Sequence, residues 1–152
     1  LIGGIFIILG MAMGLTNYLI DAEIPMKILA YMKNFIDSKL TFLILLNIFL
    51  LVVGCMMDIF SAIIVVVPLI VPIAQSFGVD MVHLGIIFLT NLEIGYSTPP
   101  VGINLFIAGS RFNKPIVELY RAVLPFLGLR LIGLIIVTYF PWLSLALIKF
   151  FY

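Results

Sequence analysis

The sequence predicts an all-α integral membrane protein that contains a re-entrant helical hairpin and a discontinuous helix. Hydrophobic residues make up 64% of the 152 residues and charged residues only 10%, whereas a soluble domain is nearer ~25% charged. Two of the apolar stretches are interrupted, one by glycine and aspartate and the other by glycine and two adjacent prolines. Lipid offers the backbone no hydrogen bonds, so non-helical chain at that depth must be buried in protein or line a wet cavity.

Composition excludes several classes of protein. The net charge is +1 and no basic run is present, so no nucleic-acid partner is predicted. Cys55 is the single cysteine, which excludes an internal disulfide and a thiolate metal cluster. The chain starts at Leu1 without a signal-peptide pattern, and we expect it to be a piece of a longer polypeptide. No organic cofactor is predicted.

The first 39 residues predict one transmembrane helix and one surface helix. Residues 1–20 are apolar over a length that crosses ~30 Å of hydrocarbon at ~1.5 Å per residue. Residues 21–39 alternate lysines and acids with apolar side chains, which indicates an amphipathic helix lying in the bilayer interface. Either a connecting arm between moving parts or a plain surface helix fits this second stretch.

Residues 40–77 are too long for one crossing, because a single helix would measure roughly 57 Å. The interruption at 54–60 leaves arms of about 21 Å and 25 Å, each short for a full span. We therefore predict a re-entrant hairpin whose tip lies at 54–60, and two short spans joined by a tight turn are the alternative. Asp58 suits the N-cap of the second arm, and an ionisable group at membrane depth is also a candidate functional residue.

Residues 84–110 predict a discontinuous helix broken at 94–100. Each half is about ten residues long, roughly 15 Å, which is half a span. The break holds oxygen-bearing and helix-breaking residues: Gly95, Tyr96, Ser97, Thr98, Pro99 and Pro100. Residues 116–152 predict an interfacial turn followed by the last transmembrane helix, bent at Pro141. Arg130 in that helix either reaches the interface or pairs with an acid.

The two prolines suggest what the break does. Proline has no N–H, so Pro99 removes the helical partner of the Gly95 carbonyl, and Pro100 does the same for Tyr96. Freed carbonyls and the nearby hydroxyls are ligands that hard cations prefer, and the half-helix that follows favours an anion at its N-terminus. A cation site beside an anion site is the arrangement of ion-coupled acid uptake. A proline kink filled by packing is the alternative.

Three stretches resemble one family. The run NLEIGYSTPPVGINLF at 91–106 is similar to a motif in the large membrane subunit of tripartite ATP-independent periplasmic (TRAP) transporters. GCMMD at 54–58 resembles the hairpin tip of that subunit, and YFPWLSL at 139–145 resembles its ending. The resemblance implies a fold of two inverted repeats, each with a hairpin and a broken helix, that moves as an elevator. This chain resembles the second repeat only.

The resemblance also implies a function. The subunit would be a sodium-coupled symporter in the bacterial inner membrane that takes up organic acids such as C4-dicarboxylates or sialic acid. Its implied partners are a periplasmic substrate-binding protein, a small membrane (Q) subunit, the lipid bilayer and the missing N-terminal repeat.

The same resemblance assigns site residues. Sodium would be held by the carbonyls of Gly54, Gly95 and Val101 and by the Thr98 hydroxyl. The acid would contact Pro100, Gly102 and Asn104, and its main arginine is expected in the missing repeat. Supporting roles, such as ordering the hairpin, fall to Asp58, Asn91, Glu93, Ser97 and Pro99.

Three other functions were weighed against this one. A divalent-anion/sodium symporter shares the architecture but works without a binding protein. An intramembrane enzyme would use Asp58, Glu93 and His83, but no HExxH, GxSxG or paired-aspartate motif supports it, and His83 has no partner histidine. A purely structural anchor has no use for a broken helix at membrane depth.

Overall fold

The computed structural model describes residues 14, 18, 21, 22, 27, 36, 38–57, 59–99 and 102–151. The helices of these residues are α1 (Lys39–Met56), α2 (Ile59–Ser76), α3 (Met81–Gly95), α4 (Ile103–Phe112), α5 (Ile116–Tyr139) and α6 (Pro141–Phe151). The all-α prediction is confirmed for this part of the chain. Three of the helices, α1, α2 and α5, are long and apolar enough to cross a membrane. The helices predicted at 1–20 and 21–39 lie outside the described residues, apart from isolated positions.

The chain divides into two compact units. One unit comprises residues 1–42 and 58–81, and the other comprises 43–57 and 82–152. Helix α1 therefore contributes its first turn to one unit and the rest of its length to the other.

In the first unit, α2 buries one face. Its buried residues recur every three or four positions, which is the spacing of a single helix stripe: Ala62, Val66, Ile70, Ile73 and Ala74. Pro68 and Pro72 lie inside this helix, which continues through both to Ser76. Neighbouring groups can satisfy the carbonyls that such prolines leave behind, so membrane helices tolerate them.

The start of α1 and the segment after α2 lie together in this unit. Lys39 Nζ donates a hydrogen bond of 2.7 Å to the carbonyl of Gly78. The rings of Phe42 and Phe77 stack with centroids 4.7 Å apart and an interplanar angle of 11°. Gly78 has φ +66°, the left-handed conformation that commonly ends a helix at glycine.

The hairpin arms are longer than the sequence suggested. Helices α1 and α2 each have 18 residues, about 27 Å, and Gly54 lies inside α1 rather than in a turn. The interruption between them narrows to Met57 and Asp58, and Asp58 lies outside the described residues. Helices of this length fit a full crossing as well, so the re-entrant hairpin stays a prediction.

The second unit packs the remainder of α1 with α3, α4, α5 and α6. A buried cluster joins Ile94 of α3 to Leu127 and Leu134 of α5, and partly buried Leu51 and Val123 pack against it. This cluster fixes the C-terminal end of α3 against the middle of α5.

Two helices flank the break predicted at 94–100. Helix α3 ends at Gly95 and α4 begins at Ile103, and residues 96–99 and 102 between them are not helical. Helix α5 runs unbroken through Pro125 to Tyr139. The bend expected at Pro141 is instead a helix end, because Phe140 has φ −115° and ψ 75° and a residue before proline is disfavoured in the α region.

We predict that cysteines at positions 42 and 77 cross-link in the membrane-inserted protein. In a Cys55→Ser background, Phe42→Cys with Phe77→Cys should react efficiently with a short bismaleimide, because the native rings stack. Phe42→Cys with Phe60→Cys is the matched control, since position 60 is about 25 Å away from 77 along α2. Equal cross-linking of the two pairs, measured by mobility on a denaturing gel after cleavage between α1 and α2, would contradict the fold.

Candidate functional site

The site is built on a backbone contact between α1 and α3. A Cβ atom at Gly95 would overlap the carbonyl carbon of Gly54 and lie 2.6 Å from its Cα and 2.8 Å from the nitrogen of Cys55. A Cβ at Gly54 would lie 3.0 Å from the Cα of Leu92. Any side chain at Gly95 would therefore meet main-chain atoms, which have no rotamer to change, so only glycine permits this approach.

The contact brings two helix C-termini together. Helix α1 ends at Met56 and α3 ends at Gly95. The last four carbonyls of a helix have no partner within it, and that end carries a partial negative charge of about half an elementary unit. Two such ends side by side favour a cation.

The carbonyls of the break have hydrogen-bond donors. Gly95 O accepts the N–H of Thr98 at 2.9 Å, and Tyr96 O accepts the N–H of Asn104 at 3.1 Å. The prediction that the two prolines leave these carbonyls free is wrong, because the loop folds back and supplies other amides. A carbonyl oxygen has a second lone pair, so each can still contribute a ligand.

The hydroxyl of Thr98 is held in place. Its Oγ1 donates to the carbonyl of Ile94 at 2.7 Å, and the same carbonyl accepts the Ser97 N–H at 3.0 Å. Because the hydroxyl donates its hydrogen to the Ile94 carbonyl, the lone pairs of its oxygen point away from that carbonyl and can act as acceptors. An oriented neutral oxygen next to Gly95 suits a small hard cation.

Gly102 is the last residue of the break, directly before α4 begins. Gly102 is buried and has φ +51°, and a Cβ there would lie 3.0 Å from the carbonyl oxygen of Thr98. Asn104 is exposed in the first turn of α4. Two of the three predicted acid contacts thus stand at the start of α4, while Pro100, Val101 and Asp58 lie outside the described residues.

Arg130 of α5 reaches the end of α3. Its Nη1 donates to Ser97 Oγ at 3.0 Å and to the carbonyl of Glu93 at 3.5 Å, and it lies 3.8 Å from the Glu93 carboxylate. Of the two predictions for Arg130, reaching the interface or pairing with an acid, the structure shows the second, with Glu93 as the acid. Ser97 is buried and Pro99 is exposed.

A buried polar network lies below the glycine contact, on the side away from the break. Asn91 Nδ2 donates to Asn47 Oδ1 at 2.7 Å and to the carbonyl of Ile87 at 2.8 Å. Asn47 Nδ2 in turn donates to Thr138 Oγ1 at 3.2 Å. The network ties α1, α3 and α5 together one helical turn before Gly95, because Asn91 precedes that glycine by four residues.

His83 belongs to this packing. Its side chain is 2% exposed. Its Nε2 donates to the carbonyl of Thr138 at 3.2 Å, and its Nδ1 lies 3.1 Å from Ser144 Oγ. Both ring nitrogens therefore face protein groups, as expected for a structural histidine. No group of three His, Cys, Asp or Glu within the described ranges could hold a metal ion.

The sequence reasoning missed two of these partners. Asn47 and Thr138 are single polar residues inside otherwise apolar helices, and such residues tend to hydrogen-bond across helices in a membrane. A single polar residue in an apolar helix predicts a hydrogen bond to another helix, but it does not predict which residue is the partner.

Comparison with known proteins identifies the family. A family model described as "Tripartite ATP-independent periplasmic transporter, DctM component" matches residues 1–143. The chain belongs to the DctM family. It is therefore a multi-pass protein of the bacterial inner membrane, consistent with its three span-length helices.

Curated DctM relatives agree over most of the chain. The chain is 41% identical to the C4-dicarboxylate TRAP transporter large permease protein DctM of Pseudomonas aeruginosa, over 92% of its own length and 33% of that protein. It is 39% identical to the isethionate TRAP transporter permease protein DctMQ of Oleidesulfovibrio alaskensis, over 90% of the chain and 22% of the relative. Identity to the sialic acid TRAP transporter large permease protein SiaM of Vibrio cholerae is 33%, over 93% and 34%. The chain thus spans a third or less of the length of most relatives it matches.

The glycine contact predicts the effect of one methyl group on the stability of the protein. Gly95→Ala should lower the free energy of unfolding by about 1–3 kcal/mol, because the new Cβ must push two backbones apart. Gly85→Ala is the matched control on the same helix, since a Cβ at Gly85 meets nothing within 4 Å. Thermal unfolding of the purified permease measures both variants, and equal stability would show that the helices do not touch at Gly95.

Proposed function

We propose that this chain is the second inverted repeat of a sodium-coupled permease that takes up organic acids delivered by a periplasmic binding protein. The observation that carries the proposal is the contact of Gly54 with Gly95, next to the oriented hydroxyl of Thr98. In the bilayer, the two helix C-termini and this hydroxyl would offer neutral oxygen ligands to one cation, which would offset the cost of an uncompensated polar cluster there.

The sodium ion would lie between the last turn of α1 and the break after α3. Its ligands would be the carbonyls of Gly54 and Gly95 and the Thr98 hydroxyl, with the Val101 carbonyl as the fourth. All four are uncharged oxygens, and the two helix C-termini add negative partial charge. Such a site binds a monovalent cation without the desolvation cost of a buried carboxylate.

The organic acid would lie at the start of α4. The N-terminus of a helix offers unsatisfied N–H groups and positive partial charge, and Gly102 and Asn104 stand there. Pro100 would be the third contact of the acid. A bound sodium ion in the same break would attract the acid, and by linkage the acid would raise sodium affinity to the same degree. This mutual effect is the basis for coupling the two in symport.

The remaining parts follow from the family. Three relatives are named for C4-dicarboxylate, isethionate and sialic acid, which are all organic anions. The one named DctMQ supports a small membrane (Q) subunit as a partner of this chain. The first repeat would supply the other half of the site, and Asp58 would order the tip of the re-entrant hairpin in an elevator movement.

Replacing Thr98 tests the sodium site. In proteoliposomes of the complete permease with its binding protein, Thr98→Ala should raise the sodium concentration for half-maximal uptake by roughly tenfold, the equivalent of about 1.4 kcal/mol. Thr98→Ser keeps the hydroxyl and should stay near the parent value.

Thr90→Ala is the matched control, because Thr90 Oγ1 donates to the carbonyl of Ile86 at 2.7 Å. This is the same i to i−4 hydrogen bond that Thr98 makes to Ile94, but it lies within α3. Unchanged sodium activation in Thr98→Ala, or an equal shift in Thr90→Ala, would refute the sodium site. Full uptake without the binding protein would instead favour a divalent-anion/sodium symporter.

A further inference from the structure

Arg130 carries a charge in the middle of a helix that is long enough to cross the membrane. It lies about 21 Å along α5 from Ile116 and about 13 Å before Tyr139. An ionisable residue at this depth is expensive and is by default a candidate for function. Neither the glycine contact nor the sodium ligands require it.

The side chain faces the break rather than away from it. Leu127 and Leu134, three residues before and four residues after Arg130, share its helix face. Both are buried against Ile94, the residue next to Gly95. The packing of α5 on α3 therefore fixes the direction of Arg130.

Only part of the guanidinium is occupied. Within the described ranges, Nη1 makes its polar contacts, to Ser97 Oγ at 3.0 Å and to the carbonyl of Glu93 at 3.5 Å. The carboxylate of Glu93 is 3.8 Å away, beyond hydrogen-bond distance. The two side chains are 44% and 62% exposed, so this pair is not a closed, buried ion pair.

An anchored but half-open guanidinium is suited to a ligand. Its planar edge can give two parallel hydrogen bonds to one carboxylate, and a sulfonate offers similar oxygens. Ser97 holds one nitrogen and so fixes the plane of the group, while Nε and Nη2 remain as donors. Ser97, the residue that holds Nη1, is adjacent in the chain to Thr98.

We propose that Arg130 binds the acidic group of the transported anion, and that Glu93 holds the guanidinium when no anion is present. This inference rests on the proposed function and adds a binding residue to it. The arginine expected in the missing repeat then has a counterpart in this chain. Glu93 competes with the anion for the guanidinium of Arg130. Removing the charge of Arg130 should therefore weaken anion binding, and removing the charge of Glu93 should strengthen it.

Binding of succinate, N-acetylneuraminate and isethionate to the complete purified permease tests the proposal. Stabilisation against thermal unfolding is titrated with each anion at saturating sodium, and with sodium in the absence of anion. For the anion that binds the parent protein, Arg130→Gln should raise the half-saturating concentration about tenfold or more, as expected for losing charge-assisted hydrogen bonds. The half-saturating anion concentration of Arg130→Lys should lie between those of the parent and Arg130→Gln. The sodium titrations of both variants should match that of the parent.

Glu93→Gln should lower the half-saturating anion concentration, because the competing carboxylate is gone. Arg121→Gln is the matched control, since Arg121 is an exposed arginine nearer the start of the same helix and should leave both titrations unchanged. If Glu93→Gln raised the half-saturating anion concentration as much as Arg130→Gln does, the proposal would be overturned and the pair would have a structural role.

Other outcomes also decide the matter. Parent-like anion binding in Arg130→Gln, or an equal shift of its sodium titration, would overturn the binding role while leaving the proposed function standing. If Arg130→Gln does not fold, parent-like anion affinity in Arg130→Lys would overturn the two-hydrogen-bond geometry. If none of the three anions binds the parent and none is taken up with sodium, the proposed function fails and the role of Arg130 fails with it.

Discussion

The backbone contact between Gly54 and Gly95 is the constraint on which the rest of the site depends. It requires two residues without Cβ atoms at the ends of helices that are far apart in the sequence. Once the helices meet there, their C-terminal carbonyls converge, and the chain after Gly95 must leave the helix. In the break that follows, the carbonyls of Gly95 and Tyr96 accept the amides of Thr98 and Asn104. A single methyl group at Gly95 would disturb all of these features together.

Two sets of polar side chains connect the helices around the glycine contact. Asn47, Asn91 and Thr138 form one set beneath the contact, and Arg130, Ser97 and Glu93 form another at the break. In the first set, Asn91 and Thr138 are fully buried and Asn47 is half-buried, which suits a fixed scaffold. The second set is part-exposed and charged, so it can exchange partners. This difference separates the part of the site that must hold its shape from the part that can respond to an anion.

The end of α3 at Gly95 falls close to Pro99, because proline acts locally on a helix. The sequence-based prediction misplaced Gly54, since a glycine reads as a helix breaker although here it serves helix packing and remains helical. It also treated proline as a remover of hydrogen bonds, while the loop supplied replacement amides. The pairing of Asn47 with Thr138, 91 positions apart, and of Arg130 with Ser97 depends on helix packing. Composition and periodicity do not specify such pairings.

Sodium-specific stabilisation of the complete purified permease tests the central claim most directly. A ligand that binds only the folded protein raises the unfolding temperature with its concentration. The account predicts that sodium chloride raises the unfolding temperature in a saturable manner, while potassium chloride and choline chloride at equal ionic strength do not. Equal stabilisation by all three salts would contradict a sodium site between Gly54, Gly95 and Thr98.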